Sequence, residues 1–230
     1  TLRRSSAASD VYKRQEYPFW IFFLVVLAGY SLFHKRLRVR SLFLFLVSIY
    51  FYYKTSGFFF SILLFSTILD FVIGERIYRN LDGLKATLWL AVSITINLTL
   101  LVYFKYAYFF ADSFNAIFDS SWHPINHFAL ATNKLVGSTF RVDQILLPIG
   151  ISFYTFQTMS YAIDIYRKKL KPVSHVIDFA FYVSFFPQLV AGPIVRASEF
   201  IPQIYKPYAV TKKEFGLAVF WILNGLLKKF

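Results

Sequence analysis

The chain has 230 residues, 57% of them hydrophobic and 21% aromatic but only 16% charged, against about a quarter charged in ordinary soluble domains. With 29 Phe, 16 Tyr and a mean hydropathy of +0.52, it cannot be an intrinsically disordered chain, and the lack of cysteine excludes disulfides, thiolate metal sites and cysteine nucleophiles. The net charge of +13 is gathered in short clusters between long apolar runs, which is the layout of membrane topology signals and not of a nucleic-acid surface.

Residues 1–15 share neither the composition nor the periodicity of the rest, and DVYKRQ at Asp10 to Gln15 resembles the translation of a sequencing adapter. They read as a scar, with a natural basic arm as the alternative. Residues 16–230 read as the N-terminal part of a longer multi-pass membrane protein, because the sequence stops within an apolar run that has no helix stop signal.

The first expected span, 17–33, is followed at once by His34, Lys35, Arg36, Arg38 and Arg40. The excess of basic residues on cytoplasmic loops puts this cluster inside and the start of the chain outside. Residues 41–53 are short for a span and need tilt and some of the basic flank to cross outward. Residues 58–73 return inward to Glu75, Arg76, Arg79 and Lys85, again basic on balance. Residues 86–110 then cross outward into a loop of roughly thirty residues that contains WHPINH, Trp122 to His127. Asn97-Leu98-Thr99 has the form of a glycosylation acceptor, but it lies inside the apolar run and is dismissed. Residues 145–166 cross inward to Arg167, Lys168, Lys169 and Lys171.

Residues 176–194 break the pattern. A crossing there would place Arg196, Lys206, Lys212 and Lys213 outside, and Pro187, Gly192 and Pro193 interrupt the run. Irregular backbone at membrane depth survives only where protein or a wet cavity covers it, so a re-entrant or broken helix is expected. A further helix begins near residue 215. The fold class is thus all-α, a polytopic helical membrane bundle.

Candidate chemistry concentrates in Leu147 to Lys169, where Tyr154, Gln157, Tyr161, Asp164 and Lys168 recur at steps of three and four. Such a polar stripe cannot face lipid cheaply and must look into the bundle. It is read either as the wall of a substrate cavity or as plain interhelical hydrogen bonding, with Asp164 paired to Arg167 or Lys168. Asp70, as an intramembrane acid, is a functional candidate by default, but its place near the end of its helix favours a structural ion pair or water contact. His34 lies in a basic loop and His175 follows another, so both are read as solvated or headgroup-facing. His123 and His127 have the spacing of a metal pair on a helix, but Pro124 between them opposes that geometry and no third ligand is in view, so no metal site is expected.

Three segments together resemble the membrane-bound O-acyltransferase family, in the branch of alginate O-acetylation and teichoic-acid D-alanylation proteins. They are LPIGISFYTFQTMSYAIDIYR at Leu147 to Arg167, FFPQLVAGPIVR at Phe185 to Arg196, and GLLKK at Gly225 to Lys229. STILDFVIG around Asp70 and FKYAYFF around Lys105 are similar to their counterparts.

The resemblance implies a bacterial cytoplasmic (inner) membrane protein whose parent moves an acyl group, acetyl or D-alanyl, from a thioester to hydroxyls of a cell-surface polysaccharide. The donor would be acyl-CoA or an acyl-carrier protein, with no bound cofactor. The partners would be the lipid bilayer, that carrier and an extracytoplasmic acyltransferase acting on the polysaccharide, and not nucleic acid. The family's catalytic histidine belongs to motifs that follow the GLLKK segment, so no catalytic residue, and no activity by itself, is expected of this stretch. Carried over instead are cavity-lining residues, Tyr154, Gln157, Tyr161, Pro187, Gln188, Gly192 and Pro193, with Arg196 as a contact for an anionic carrier or headgroup. The alternatives are a transporter or channel subunit, against which the lack of an inverted repeat weighs, and a non-catalytic membrane scaffold.

Overall fold

The computed structural model describes residues 17–33, 35–136, 141–189, 192, 194–206 and 210–228. Within them every regular element is a helix, as a chain immersed in lipid requires, because each helix satisfies its own backbone. The elements are α1 (Tyr17–Phe33), α2 (Leu37–Ser56), α3 (Phe60–Arg79), α4 (Leu84–Leu101), α5 (Ala107–Phe118), α6 (His127–Val136), α7 (Ile151–Tyr166), α8 (Val176–Ser184), α9 (Phe186–Leu189), α10 (Ala197–Ile204) and α11 (Lys212–Leu227). Two stretches, Leu37–Arg79 and Leu84–Phe118, are long and apolar enough to cross a membrane, and Phe19–Phe33 and Val176–Leu189 are shorter apolar helices. Many large apolar side chains on these helices are exposed, among them Ile21, Leu24, Phe65, Ile68, Leu88 and Phe109. An outer surface of that kind suits lipid better than water.

Side-chain contacts fix the directions of the helices. Phe22 stacks on Phe51 at 5.6 Å while Phe33 meets Phe43 at 5.4 Å, so α1 and α2 run antiparallel. Gly57, with φ +60, ends α2, and a 3-10 turn at Gly57–Phe59 starts the return of α3. Ser66 reaches Asn97 and Asp70 reaches Ser93, which makes α3 and α4 antiparallel. Gly74 lies against Tyr161 and Ile165, close enough that a Cβ there would be 2.6 Å from the Tyr161 ring. The absent side chain lets α3 and α7 approach each other.

One end of the bundle collects the basic clusters. Arg38 lies 3.5 Å from His175, Lys168 pairs with Asp82, and the Arg40 guanidinium donates to the Ile204 carbonyl. The far end is marked by Tyr52, whose hydroxyl donates to the Ile149 carbonyl at 2.7 Å, and by Phe59 stacked on Phe128. The chain from 176 to 204 starts and finishes at the basic end. Tyr205, just after α10, donates its hydroxyl to Asp178 in the first turn of α8 at 3.0 Å. Burial, and then the Asp178 carboxylate, push the Tyr205 phenol above its ordinary range and keep it a donor. Between these ends Leu189 reaches the level of Gly150, which it touches.

Several helix limits differ from the sequence expectation. The run 145–166 is helical only from Ile151, because Pro148 and the left-handed Gly150 (φ +73) hold its head in a turn. The run 86–110 extends through a π-helical turn, Val102–Tyr106, into α5, so helix continues to Phe118. A π-turn inserts one residue per turn and shifts the face of everything after it. Here it brings the Lys105 ammonium to within 3.3 Å of the Ser152 hydroxyl. The following segment folds back, with Asn115 hydrogen-bonded to Trp122 and Tyr103 to Ile125 and His127. α6 starts at His127, so His123 and His127 are not one helical turn apart on a common helix.

Candidate functional site

The polar stripe of α7 is buried along its length. Tyr154, Gln157, Tyr161 and Asp164 are 1%, 2%, 0% and 7% exposed. Lys168 leaves the stripe, since α7 ends at Tyr166 and Lys168 takes a left-handed conformation (φ +60) that sends it to Asp82. The expected pairing of Asp164 with Arg167 or Lys168 is not among the ion pairs of the described residues. One Asp164 oxygen, Oδ2, has no hydrogen-bond partner, while the Asp164 carbonyl accepts from the Lys169 and Leu170 amides across the turn.

Two polar assemblies flank α7, and they differ in kind. Toward α3 and α4, the Asp70 carboxylate accepts from Ser93 Oγ at 2.6 Å and from Asn97 Nδ2 at 2.7 Å. Asn97 also donates to the Ser93 carbonyl, and its Oδ1 accepts from Ser66 and from Thr158 of α7, each at 3.1 Å. The Asn97 amide uses its full capacity of two donors and two lone pairs. The ion pair read for Asp70 is not among those of the described residues; hydroxyl and amide donors from a neighbouring helix bind its carboxylate instead. Sequence reading missed this cluster, for Ser93 and Asn97 carry no spacing cue that links them to a carboxylate on another helix.

Toward α2, α8 and α9 the seam is open. Among the described residues, the Tyr154 hydroxyl and Gln157 Oε1 are buried without a partner, as is Ser184 Oγ. Gln157 Nε2 reaches Gln188 Oε1 at a long 3.4 Å. Leaving such a group unpaired in a low-dielectric interior costs about 1–3 kcal/mol, which a structural seam would avoid and a site that receives a ligand would accept. Tyr161, by contrast, is satisfied: its hydroxyl accepts the Val173 amide at 3.1 Å and its ring packs on Phe179 at 4.2 Å. It is a strut, and along the stripe it separates the unpartnered atoms of Tyr154 and Gln157 from the unpartnered Asp164 Oδ2 nearer the basic end.

The other carried-over residues separate in the same way. Gln188 is half-buried and faces Gln157, and Gly192 folds back so tightly that a Cβ would lie 2.5 Å from Gln188 Cα. Pro187 instead lines a different cavity, which neither Tyr154 nor Gln157 touches. Pro193 lies outside the described residues. Arg196 is exposed and precedes α10, with its carbonyl accepting from Glu199 and Phe200. Two tyrosines that sequence reading passed over complete the seam. Tyr52 closes it onto the head of α7 through Ile149, and Tyr182, on α8, donates to the Val195 carbonyl at 3.0 Å and faces the Gln157 carbonyl at 3.4 Å. Both sit in aromatic-rich runs where nothing singles them out. Of the histidines, His34 lies outside the described residues, and His123, His127 and His175 are at the two ends of the bundle, away from the seam.

No family model and no solved structure matches the chain. Among curated proteins, it is 36% identical over 194 residues to the "Probable alginate O-acetylase AlgI" of Pseudomonas aeruginosa, covering 84% of this chain and 34% of that protein. The protein of that name from Azotobacter vinelandii is 35% identical over 84% of the chain and 36% of its own length. A "Peptidoglycan O-acetyltransferase" of Helicobacter pylori is 29% identical over 82% of the chain and 37% of its own length. The chain thus spans about a third of the length of the curated relatives it matches. With helices that carry the Leu147 to Arg167 and Phe185 to Arg196 segments packed against one another, and with this kinship over most of its length, the chain belongs to the membrane-bound O-acyltransferase family.

Proposed function

We propose that this chain forms the N-terminal part of the membrane core of an enzyme that transfers acetyl groups from a thioester to hydroxyls of a cell-surface polysaccharide. Acetyl is favoured over D-alanyl because the relatives are named as alginate O-acetylases and a peptidoglycan O-acetyltransferase. Within the structure, one observation carries the site: the buried and unpartnered Tyr154 hydroxyl and Gln157 Oε1 beside the turn-back of the 176–204 segment. A phenol is matched to donate to a carbonyl oxygen, and an amide oxygen to accept an N–H or O–H from a donor arm or a sugar. Neither group is a base. In this reading they position the reactants, and the proton is taken from the acceptor hydroxyl by a histidine in family motifs outside this sequence.

The donor would be acyl-CoA or an acyl-carrier protein meeting the basic end, and the acceptor would come from the far end, with an extracytoplasmic acyltransferase completing delivery to the polymer. The 176–204 segment, rising from the basic end and returning to it, would re-enter the membrane and narrow the barrier between the two compartments. Arg196, exposed before α10, would meet the anionic carrier or headgroup. The basic end would be cytoplasmic and the N-terminus extracytoplasmic in a bacterial inner membrane. Because the chain has no cysteine, single replacements report its orientation cleanly. An impermeant maleimide added to intact cells should label Lys54→Cys and spare Lys169→Cys.

The site itself is tested in the full-length enzyme in cells. Gln157→Leu should lower the O-acetyl content of the polysaccharide by about tenfold at unchanged membrane abundance, the size of one lost neutral hydrogen bond at the reacting centre. Unaltered acetyl content would remove the seam from the reaction.

A further inference from the structure

A cavity of about 360 Å³ lies between α1, α2, the α8–α9 break and α10. That volume falls within the range of roughly 300–1,000 Å³ in which small ligands are held. Its walls are apolar, with Phe23 and Leu27 of α1, Leu44 of α2, and Phe185 and Phe200 from the other side. Its polar lining is Arg40 and Gln203, next to Tyr30 and Ile204. The cavity is lined by neither Tyr154 nor Gln157, although it shares α2 and the α8–α9 break with the acyl-transfer seam.

Arg40 is the anomaly in this wall. It is 5% exposed, its guanidinium lies over the Tyr30 ring at 5.9 Å, and it donates to the Ile204 carbonyl at the end of α10. The ion pairs among the described residues are Glu75–Arg79, Asp143–Arg141 and Asp82–Lys168, so no carboxylate there neutralises Arg40. One carbonyl and one ring do not use the five N–H groups of a guanidinium, and a charge taken from water without a counter-ion is costly. The geometry of the cavity supplies what is missing. Arg40 stands one turn inside α2, just below the exposed Lys35, Arg36 and Arg38. From Tyr30 to Phe23 the wall of α1 descends two turns, about 10 Å, from that level toward the middle of the bundle. A charged end at headgroup depth continues into an apolar slot that runs inward.

We propose that this cavity binds one anionic phospholipid, its phosphate on Arg40 and one acyl chain against Phe23, Leu27, Leu44 and Phe185. The occupant is a membrane lipid and not a soluble phosphate, because a free anion would leave the apolar length empty. It is not a zwitterionic lipid, because Arg40, buried with no counter-ion among the described residues, requires net negative charge, whereas the exposed Lys35, Arg36 and Arg38 are screened by water.

The experiment uses the full chain in nanodiscs of equimolar phosphatidylglycerol and phosphatidylcholine, released and weighed by native mass spectrometry. The wild type should retain one phosphatidylglycerol per chain, about tenfold over phosphatidylcholine, as one charge-assisted contact would give. Arg40→Gln should abolish that preference. Leu27→Trp, which fills the slot and leaves Arg40 in place, should lower retention of both lipids, and Lys35→Gln should change nothing. Equal retention of the two lipids by the wild type overturns the proposal, as does a preference that survives Arg40→Gln or full retention by Leu27→Trp. Displacement by added inorganic phosphate overturns it in favour of a soluble anion. Should Arg40→Gln not fold for want of its contact with Ile204, the Leu27→Trp result and the wild-type preference decide.

Discussion

The two sides of α7 are built from similar residues to opposite ends. On the side of α3 and α4, Asp70, Ser93, Asn97, Ser66 and Thr158 saturate one another and bind three helices together. On the side of α2, α8 and α9, Tyr154 and Gln157 are as deeply buried, yet each keeps a polar atom with no partner. Burial alone does not distinguish a polar clip from a polar site. What distinguishes them is whether the donors and acceptors balance, since a balanced network favours one packing and an unbalanced one favours the arrival of something else.

This contrast is broken most directly at Asp70. Asp70→Leu leaves the Ser93 hydroxyl and one Asn97 N–H buried with nothing to accept them, and should destabilise the chain by about 3 kcal/mol. Asp70→Asn keeps an acceptor for Ser93 but turns a donor toward Asn97, and about half that loss is expected. Thermal unfolding followed by size-exclusion fluorescence in detergent would rank them. A harmless Asp70→Leu would show that the network is not what joins α3 to α4.

Gly150 comes next in size and acts on the open side. Its φ of +73 suits glycine, and an added Cβ would stand 2.3 Å from the Leu189 carbonyl oxygen. Gly150→Ala should cost about 2 kcal/mol through strain and displacement of the α9 end. It should spare the Asp70 network, so the loss should add to that of Thr158→Val, expected at about 1 kcal/mol, instead of overlapping with it. A double variant much less destabilised than the sum would couple the two sides of α7 and weaken their separation.

Sequence alone revealed the half of this picture that lies along a single helix. The steps of three and four in Tyr154, Gln157, Tyr161 and Asp164 predict a common face, and that face is buried. Pro187 and Gly192 likewise predict a break, and the helix does break at Phe185. The halves that depend on a second helix were not legible. Asn97 reads in sequence only as part of an inaccessible glycosylation acceptor within an apolar run, and its role follows from a register between α3, α4 and α7 that no local pattern encodes. Lys168 was placed on the stripe by periodicity, but a turn of left-handed backbone moved it off. The π-turn at Val102–Tyr106 has the composition of the helix around it and leaves no trace in the pattern.

The smallest expected effect is also the sharpest discriminator, because it compares two tyrosines two turns apart on the same helix. Tyr161→Phe strips the acceptor from a buried Val173 amide and should cost about 1 kcal/mol in thermal unfolding. Tyr154→Phe removes a hydroxyl that none of the described residues binds, and should leave stability within about 0.5 kcal/mol of the parent, on the favourable side, since an unpaired buried dipole is lost. Acetyl transfer in the full-length enzyme should show the reverse order, falling with Tyr154→Phe more than with Tyr161→Phe. The crossing of the two rankings is the signature sought, for a residue that only packs cannot harm activity while sparing stability. If both variants lose stability equally, the Tyr154 hydroxyl has a partner within the fold, and the open side of α7 is a second clip.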